Sequence, residues 1–324
     1  MLRRFIFRMA ADGIKSAVPV PQVDYERCSN RKQKWQECTV CRDACPKNAI
    51  TYNNKIAINQ GLCNGCHLCL GVCPTQCIYQ KDSFIKSNNA AEQEIMMISC
   101  RKRGAETVGF SVPCIAALPW EFYAYSSYRE PISIMTGDCG QCQLGATEHI
   151  QAIHERLRLF FGDVGYEQRI LKHVTAPAVE YSRREMFSIF SRKNKESTEV
   201  LMPEVSGDEE VAAVPIEHPS QYRKLLLNEL DGEALHGWQT WEISQQCRGC
   251  MVCSLVCPNY AMHFVDKDGQ RAVVHDVTNC TACGVCKLAC PSKSIGELIP
   301  HYTSISSPFA VSLIQNDENN EKNA

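Results

Sequence analysis

Cysteine is the residue through which this chain can do chemistry: there are 21 in 324 residues, and their spacing says which chemistry. The stretch Cys247-Arg-Gly-Cys250-Met-Val-Cys253-Ser-Leu-Val-Cys257-Pro258 is followed by Cys280-Thr-Ala-Cys283-Gly-Val-Cys286-Lys-Leu-Ala-Cys290-Pro291. Each run is C-x2-C-x2-C-x3-C-P, the pattern by which thiolates hold [4Fe–4S] clusters, with the fourth cysteine of each run serving the other cluster. Three cysteines at two-residue gaps wrap one cluster in a tight loop, and the next step carries the fourth thiolate away. The proline then prevents helix from continuing backward, because its φ is fixed and it has no N–H. On this pattern Cys247, Cys250, Cys253 and Cys290 hold one cubane, and Cys280, Cys283, Cys286 and Cys257 hold its partner.

Residues 28–77 repeat the device with one defect. The second run, Cys63-Asn-Gly-Cys66-His-Leu-Cys69-Leu-Gly-Val-Cys73-Pro74, is complete. The first, Cys38-Thr-Val-Cys41-Arg-Asp-Ala-Cys45-Pro46, has Trp35 where its leading cysteine belongs. Cys28 is the nearest substitute, across the polar loop Ser29 to Glu37, and closing a longer loop costs little extra entropy. The expected sets are therefore Cys28, Cys38, Cys41 and Cys73 for one cluster, and Cys63, Cys66, Cys69 and Cys45 for the other. A three-cysteine site holding a [3Fe–4S] cluster is the competing reading at Cys28. The literal C-x-x-C-H of Cys63 to His67 also spells a haem-attachment pattern. Haem there would strip two ligands from a complete cluster motif, so His67 is expected to sit in a loop beside the cluster.

Both ends resemble bacterial dicluster ferredoxins beyond their cysteines. The continuation C-P-x-x-A-I/M appears as Cys45-Pro-Lys-Asn-Ala49-Ile50 and Cys257-Pro-Asn-Tyr-Ala261-Met262, with counterparts Cys73-Pro-Thr-Gln-Cys77-Ile78 and Cys290-Pro-Ser-Lys-Ser294-Ile295. The resemblance covers about 130 of the 324 residues. It implies two-fold repeats of short strand pairs and helices, with clusters standing in for much of the small core. It also puts Cys77 level with Ala49, Ala261 and Ser294, as a small packing residue rather than a ligand.

Between these blocks, short apolar runs end in cysteine: Glu94-Ile-Met-Met-Ile-Ser-Cys100 and Val108-Gly-Phe-Ser-Val-Pro-Cys114. A third, Pro131-Ile-Ser-Ile-Met-Thr-Gly137, leads into Asp138-Cys139-Gly-Gln-Cys142. They read as strands whose ends deliver cysteines to loops. Ile150, Ile153, Leu157, Phe160 and Phe161 form one helical stripe, and Ala116 to Tyr128 is a less regular helix. Alternating strands and helices suggest a small α/β domain with a mainly parallel sheet, whose sites form beyond the strand carboxyl ends. The cysteine order and the Gly137-Asp-Cys-Gly-Gln-Cys142 loop resemble the delta-type iron–sulfur subunits of methanogen hydrogenases, which implies a [2Fe–2S] cluster on Cys100, Cys114, Cys139 and Cys142. Structural zinc on the same thiolates, a redox-active pair at Cys139 and Cys142, and unliganded cysteines stay open beside it.

The elements that must position these residues give an α+β chain: two ferredoxin-like dicluster domains flanking a small α/β domain. The expected division is an amphipathic helix at 1–20, a dicluster domain at 21–88, the α/β domain at 91–178, a linker with helices at 179–238, a dicluster domain at 239–303 and a disordered tail at 304–324. Within the linker, Tyr181 to Lys193 reads as a basic amphipathic helix packed on its own domain, and Tyr222 to Leu230 as another. Ser197 to Ser220 is polar, acidic and proline-containing, a tether allowing the last domain to move.

The net charge of −2 gives no indication of nucleic acid. No apolar run reaches the length of a membrane span. Arg3-Arg4 invites an export reading, but Arg8, Asp12 and Lys15 interrupt the apolar stretch that such a signal needs. Thiolate-bound iron suits a reducing cytoplasm, and the first helix allows peripheral association with the inner membrane face. There is no Gly-rich dinucleotide loop, P-loop or catalytic triad. The expected function is therefore electron relay through four [4Fe–4S] clusters, with a [2Fe–2S] centre as a fifth, rather than catalysis by this chain alone. Dehydrogenase, hydrogenase or membrane oxidoreductase subunits are the expected partners. The alternative is an oxidoreductase whose middle cysteines reduce a disulfide or another small substrate with electrons from the clusters.

Overall fold

A computed structural model describes residues 20–32, 38–80, 86–88, 95–101, 109–171, 220–230, 234–235, 237–267, 270–301, 303–304 and 309–314. Residues 1–19 of the expected first helix, the basic helix expected at Tyr181 to Lys193, the expected tether up to residue 219 and the last ten residues lie outside this set. Among the described residues no helix is long and apolar enough to cross a membrane.

The N-terminal module is made of short pieces: β1 (Gln22–Val23), α1 (Ser29–Lys32), α2 (Val40–Asp43), β2 (Ile50–Asn53), β3 (Lys55–Ile58), α3 (Leu68–Gly71) and β4 (Ile78–Tyr79). β1 pairs antiparallel with β4, and β2 with β3. The β2–β3 turn passes through Asn54 at φ 59°, a left-handed conformation that asparagine tolerates better than most residues. No element here is long enough to bury much surface, so packing falls to the side chains around the cysteines, with Leu68, Leu70 and Ile78 fully buried.

Next come β5 (Lys86–Asn88), β6 (Met96–Cys100), β7 (Gly109–Val112), α4 (Trp120–Ser126), β8 (Ile132–Met135), α5 (Thr147–Arg169) and β9 (Ile170–Leu171). The sheet order is β5-β7-β6-β8-β9, with β5 antiparallel and the other pairings parallel. Lys86–Asn88 was expected in the first module, but its backbone pairs with β7. An otherwise parallel sheet commonly takes one antiparallel edge strand of this kind. Ile98, Val112, Ile132 and Ile134 are fully buried, as strands covered on both faces require. α5 buries Ile150, Leu157 and Phe160 and breaks at Gly162, where φ is 70°.

The chain resumes with α6 (Ser220–Glu229), β10 (Ala234–Leu235), β11 (Gln239–Ile243), α7 (Val252–Val256), β12 (Met262–Lys267), β13 (Gln270–Asp276), α8 (Val285–Ala289), β14 (Ile295–Pro300), β15 (Thr303–Ser304) and β16 (Phe309–Leu313). β11 pairs with β14, β10 with β15, and β12-β13-β16 form a three-stranded sheet. The tail expected to be disordered from 304 thus contributes a strand. β16 hydrogen-bonds along the edge of β13 from Phe309 to Leu313, and Ile314 just beyond it is buried with Trp241, Met262, Val273 and Ile295. An open strand edge and one apolar anchor outweigh the polar composition that follows.

The modules pack against one another. One contiguous core runs from Cys28 through the middle sheet to Leu226, Trp238 and Val277. Tyr222 of α6 meets Phe122 of α4 ring to ring at 4.9 Å, and Trp238 packs on Phe160 at 5.9 Å. The buried Arg223 guanidinium donates to Glu121 Oε1 at 2.8 Å, to the Cys280 carbonyl at 2.6 Å, and to the carbonyls of Val277 and Thr278. Arg27 reaches Asn259 Oδ1 at 2.5 Å, joining the N-terminal module to the C-terminal one. The freedom expected of the last domain is thus opposed by a buried ion pair and an aromatic seam.

Candidate metal centres

All 21 cysteines are free of disulfides, and the backbone around them follows one repeated plan. In each complete run, the residues immediately before and after the second cysteine have positive φ. These are Gly65 and His67 around Cys66, Gly249 and Met251 around Cys250, and Ala282 and Gly284 around Cys283. Two left-handed residues curl the loop around a point, and a helical turn (α3, α7 or α8) then carries the third cysteine inward. The defective first run differs, because Thr39 after Cys38 is right-handed at φ −109°. There the loop is closed from outside, by the Asn30 side chain. It donates to the Cys38 carbonyl at 3.0 Å and accepts from the Cys38 N–H at 2.6 Å, which holds Cys38 near Cys28.

The fourth cysteines share a second plan. Three residues beyond each stands a left-handed residue: Asn48, Gln76, Tyr260 and Lys293. That turn aims the next backbone N–H back at the sulfur. Ala49 N–H donates to Cys45 Sγ at 3.3 Å, Cys77 N–H to Cys73 Sγ at 3.4 Å, Ala261 N–H to Cys257 Sγ at 3.2 Å and Ser294 N–H to Cys290 Sγ at 3.3 Å. Each donor residue is 1% exposed, so there is room only for a small side chain. Such N–H···S bonds stabilise a thiolate and orient it. Cys73 and Cys290 each gain a hydroxyl neighbour as well, Thr75 and Ser292 at 3.6 Å.

The C-terminal module brings its cysteines together around two cavities. One is lined by Cys247, Cys250, Cys253 and Cys290 with Ile243, Phe264, Val273 and Ile295. The other is lined by Cys257, Cys280, Cys283 and Cys286 with Trp241, Met262 and His275. Each takes three thiols from one run and the fourth from the other. Burial pushes Cys253 up to about 11, and the nearby Cys247, Cys250 and Cys290 add to it. Burial likewise raises Cys286, beside Cys280, Cys283 and Cys257. Crowded, desolvated sulfurs resist ionisation unless a cation compensates, and a bound metal supplies that compensation. The donor set and the shape of both cavities therefore fit a thiolate-ligated cluster.

The N-terminal module shows the same convergence. Burial drives Cys41 up to about 12, and the nearby Cys73, Cys38 and Cys28 add to it. It raises Cys69 well above the usual thiol, beside Cys66, Cys41, Cys63 and Cys45. What the sequence missed is the position of Cys77. Its sulfur lies 3.5 Å from Cys73 Sγ, and Cys28 acts on it as well. Those contacts lower Cys73 and Cys28 and raise Cys77, so Cys77 keeps its proton beside prospective ligands. The signal was visible as a fifth cysteine at a position where the other repeats have Ala or Ser. His67 is buried and left-handed, with Nδ1 2.6 Å from the Gly65 carbonyl.

In the middle sheet β6, β7 and β8 run parallel; Cys100 is the last residue of β6, and Cys114 and Cys139 lie beyond the carboxyl ends of β7 and β8. Burial pushes Cys114 up to about 12, and Cys100, Cys139 and Cys142 all act on it. The four are neighbours on one end of the sheet. Among the described residues no three His, Cys, Asp or Glu side chains, here or in the two ferredoxin-type modules, are grouped to hold a single metal ion.

Two regions match known domain families. Residues 246–294 match the 4Fe-4S dicluster domain, and residues 56–79 match the 4Fe-4S binding domain. Neither covers the middle segment, so the likeness to delta-type hydrogenase subunits gains no support from them. No curated protein and no solved structure matches the chain.

Proposed function

From two 4Fe-4S ferredoxin-type domains on one chain, whose role is iron–sulfur electron transfer, we propose a relay through four [4Fe–4S] clusters between a dehydrogenase- or hydrogenase-type partner and an acceptor. The observation that carries it is the pair of C-terminal cavities, each lined by four cysteines drawn crosswise from both runs. Cys247, Cys250, Cys253 and Cys290 hold one cluster there, and Cys280, Cys283, Cys286 and Cys257 the other. In the N-terminal module the sets are Cys28, Cys38, Cys41 and Cys73, and Cys63, Cys66, Cys69 and Cys45. Such clusters supply one-electron steps at potentials set by hydrogen bonds, burial and charge.

The chain's own residues perform three tasks. The four repeated N–H···S bonds fix the fourth thiolate of each set and stabilise its charge. Ile243, Phe264, Val273, Ile295, Trp241 and Met262 keep water from the C-terminal cavities. Arg223 grips the Cys280 carbonyl and sets the distance from this module to the middle sheet. That small α/β domain lies between the modules, and its four cysteines lie at one end of it. Their mutual proximity favours a shared centre, a [2Fe–2S] cluster, over an isolated Cys139/Cys142 redox pair.

Anaerobic reconstitution with iron and sulfide analysis and paramagnetic resonance tests the relay. Four cubanes give about 16 irons per chain, and an added [2Fe–2S] centre about 18. A preparation saturating at about eight irons would sink the four-cluster relay. Cys139→Ser lowers the count by about two if the middle centre is a [2Fe–2S] cluster and leaves it unchanged if the pair is a dithiol.

A further inference from the structure

Where the three modules meet there is a cleft of about 280 Å³ that the relay does not use. Its walls include Cys73, Gln76, Trp120, Glu121, Ala152 and Arg156. Gln76 and Glu121 are 6% and 1% exposed. Gln76 Nε2 donates to Glu121 Oε1 at 3.4 Å, and Arg223 donates to the same carboxylate oxygen at 2.8 Å. This leaves Gln76 Oε1 and Glu121 Oε2 buried without a hydrogen-bond partner. Turning the Gln76 amide over would set its oxygen against the carboxylate, so the unpaired atom there is the acceptor. Buried polar atoms of this kind cost stability until something donates to them.

The complement follows from the surroundings. Two unpaired acceptors require a ligand with hydrogen-bond donors. Two guanidiniums, Arg156 and Arg223, stand against one carboxylate, Glu121, which disfavours a cationic amine. Val40, Val72, Pro74, Ala116, Pro119 and Ile153 supply apolar surface, with His149 and Thr281 the other polar side chains of the wall, which suits a flat neutral ring bearing polar substituents. Cys73, assigned above to a cluster, opens onto the same space. We propose that the cleft binds a hydroquinone, an aromatic ring with two hydroxyl donors, and connects it to the N-terminal clusters. The inference rests on the electron-relay reading. In the redox step two O–H bonds would break, the quinone would remain, two protons would pass to water, and two electrons would pass to oxidised clusters that the N-terminal cysteines would hold, each accepting one. The quinone product carries only acceptors at those positions and loses both hydrogen bonds, so the site favours the reduced form.

Isothermal titration of the full-length, anaerobically reconstituted protein with menadiol and with menadione tests this, with visible bleaching of the clusters as the second reading. Menadiol is expected to bind at least about tenfold more tightly than menadione, and Gln76→Leu to lose about tenfold in menadiol affinity. Ala152→Phe, at an exposed position on the cleft wall, should block binding while leaving iron content and reduction by dithionite unchanged. Equal affinity for the two forms, or binding undiminished in both variants, overturns the site. Binding without bleaching overturns the electron step. Protein that holds its iron and bleaches with dithionite but takes up no menadiol overturns the cleft alone, leaving the relay intact. Protein that takes up no iron overturns both.

Discussion

The two ferredoxin-type modules share a cysteine pattern but not a way of standing up. The C-terminal module has two complete runs, two cysteine-lined cavities and its own core of Trp241, Met262, Val273, Ile295 and Ile314, extended by the sheet β12-β13-β16. The N-terminal module has one defective run and no separate core: Cys41, Ile50, Leu68 and Ile78 belong to the cluster of side chains that fills the middle sheet. A motif can therefore specify the site while leaving open what supports it. The N-terminal copy depends on its neighbour for burial, while the C-terminal copy depends on it for position.

Breaking the joint between modules should have the largest effect. Arg223→Met leaves the Glu121 carboxylate buried without its cation, and removing one partner of such a pair costs about 3–5 kcal/mol. Denaturant unfolding of the reconstituted protein should show that loss, and a change below about 1 kcal/mol would mean the modules do not depend on this joint. Gly71→Ala acts on the other contact, because a Cβ there would lie 2.0 Å from the Ala116 carbonyl oxygen. Overpacking of this kind costs about 1–3 kcal/mol. In the C-terminal module, Gly284→Ala meets no atom within 4 Å and should cost only the left-handed strain of about 1 kcal/mol. Equal penalties for the two glycines would contradict the close approach of the N-terminal copy to the middle domain at Gly71.

Smaller effects sharpen the comparison at the clusters themselves. Cys28→Ser should remove about one iron of the 16 and give a [3Fe–4S] signal in paramagnetic resonance, confined to one N-terminal centre. Four intact cubanes after the change would remove Cys28 from the ligand set. The counterpart pair Cys77→Ala and Ser294→Ala should leave the iron count unchanged. Cys77→Ala removes a thiol that acts on Cys73 and Cys28, so only it should lower the reduction potential of an N-terminal centre. Redox titration of both variants distinguishes them, and identical potentials would make Cys77 a packing residue only.

The helical stripe from Ile150 to Phe161, the strands ending near Cys100 and Cys114, and the helix at Tyr222 to Leu230 were all legible as patterns of apolar residues, because amphipathic period is a local property. β16 was not, since its five residues are held by the edge of β13 rather than by their own composition. The same holds for Lys86–Asn88, whose partner is Ser111 to Gly109.

Cysteine spacing alone determined which thiols belong together in the C-terminal module, because a two-residue gap permits few loop conformations and each proline ends its turn. It also placed Ala49, Cys77, Ala261 and Ser294 at one equivalent position. Only the tertiary structure decided that Asn30 would tie Cys38 close to Cys28, that Cys77 would lie against prospective ligands, and that Arg223 would join the middle domain at Glu121 to the C-terminal module at Cys280. Apart from Cys73 and Cys77, four positions apart, those contacts join residues 8 to 102 positions apart, and no local pattern encodes a partner that distant. They exist because the modules, too small to bury their own surfaces, must bury them against each other.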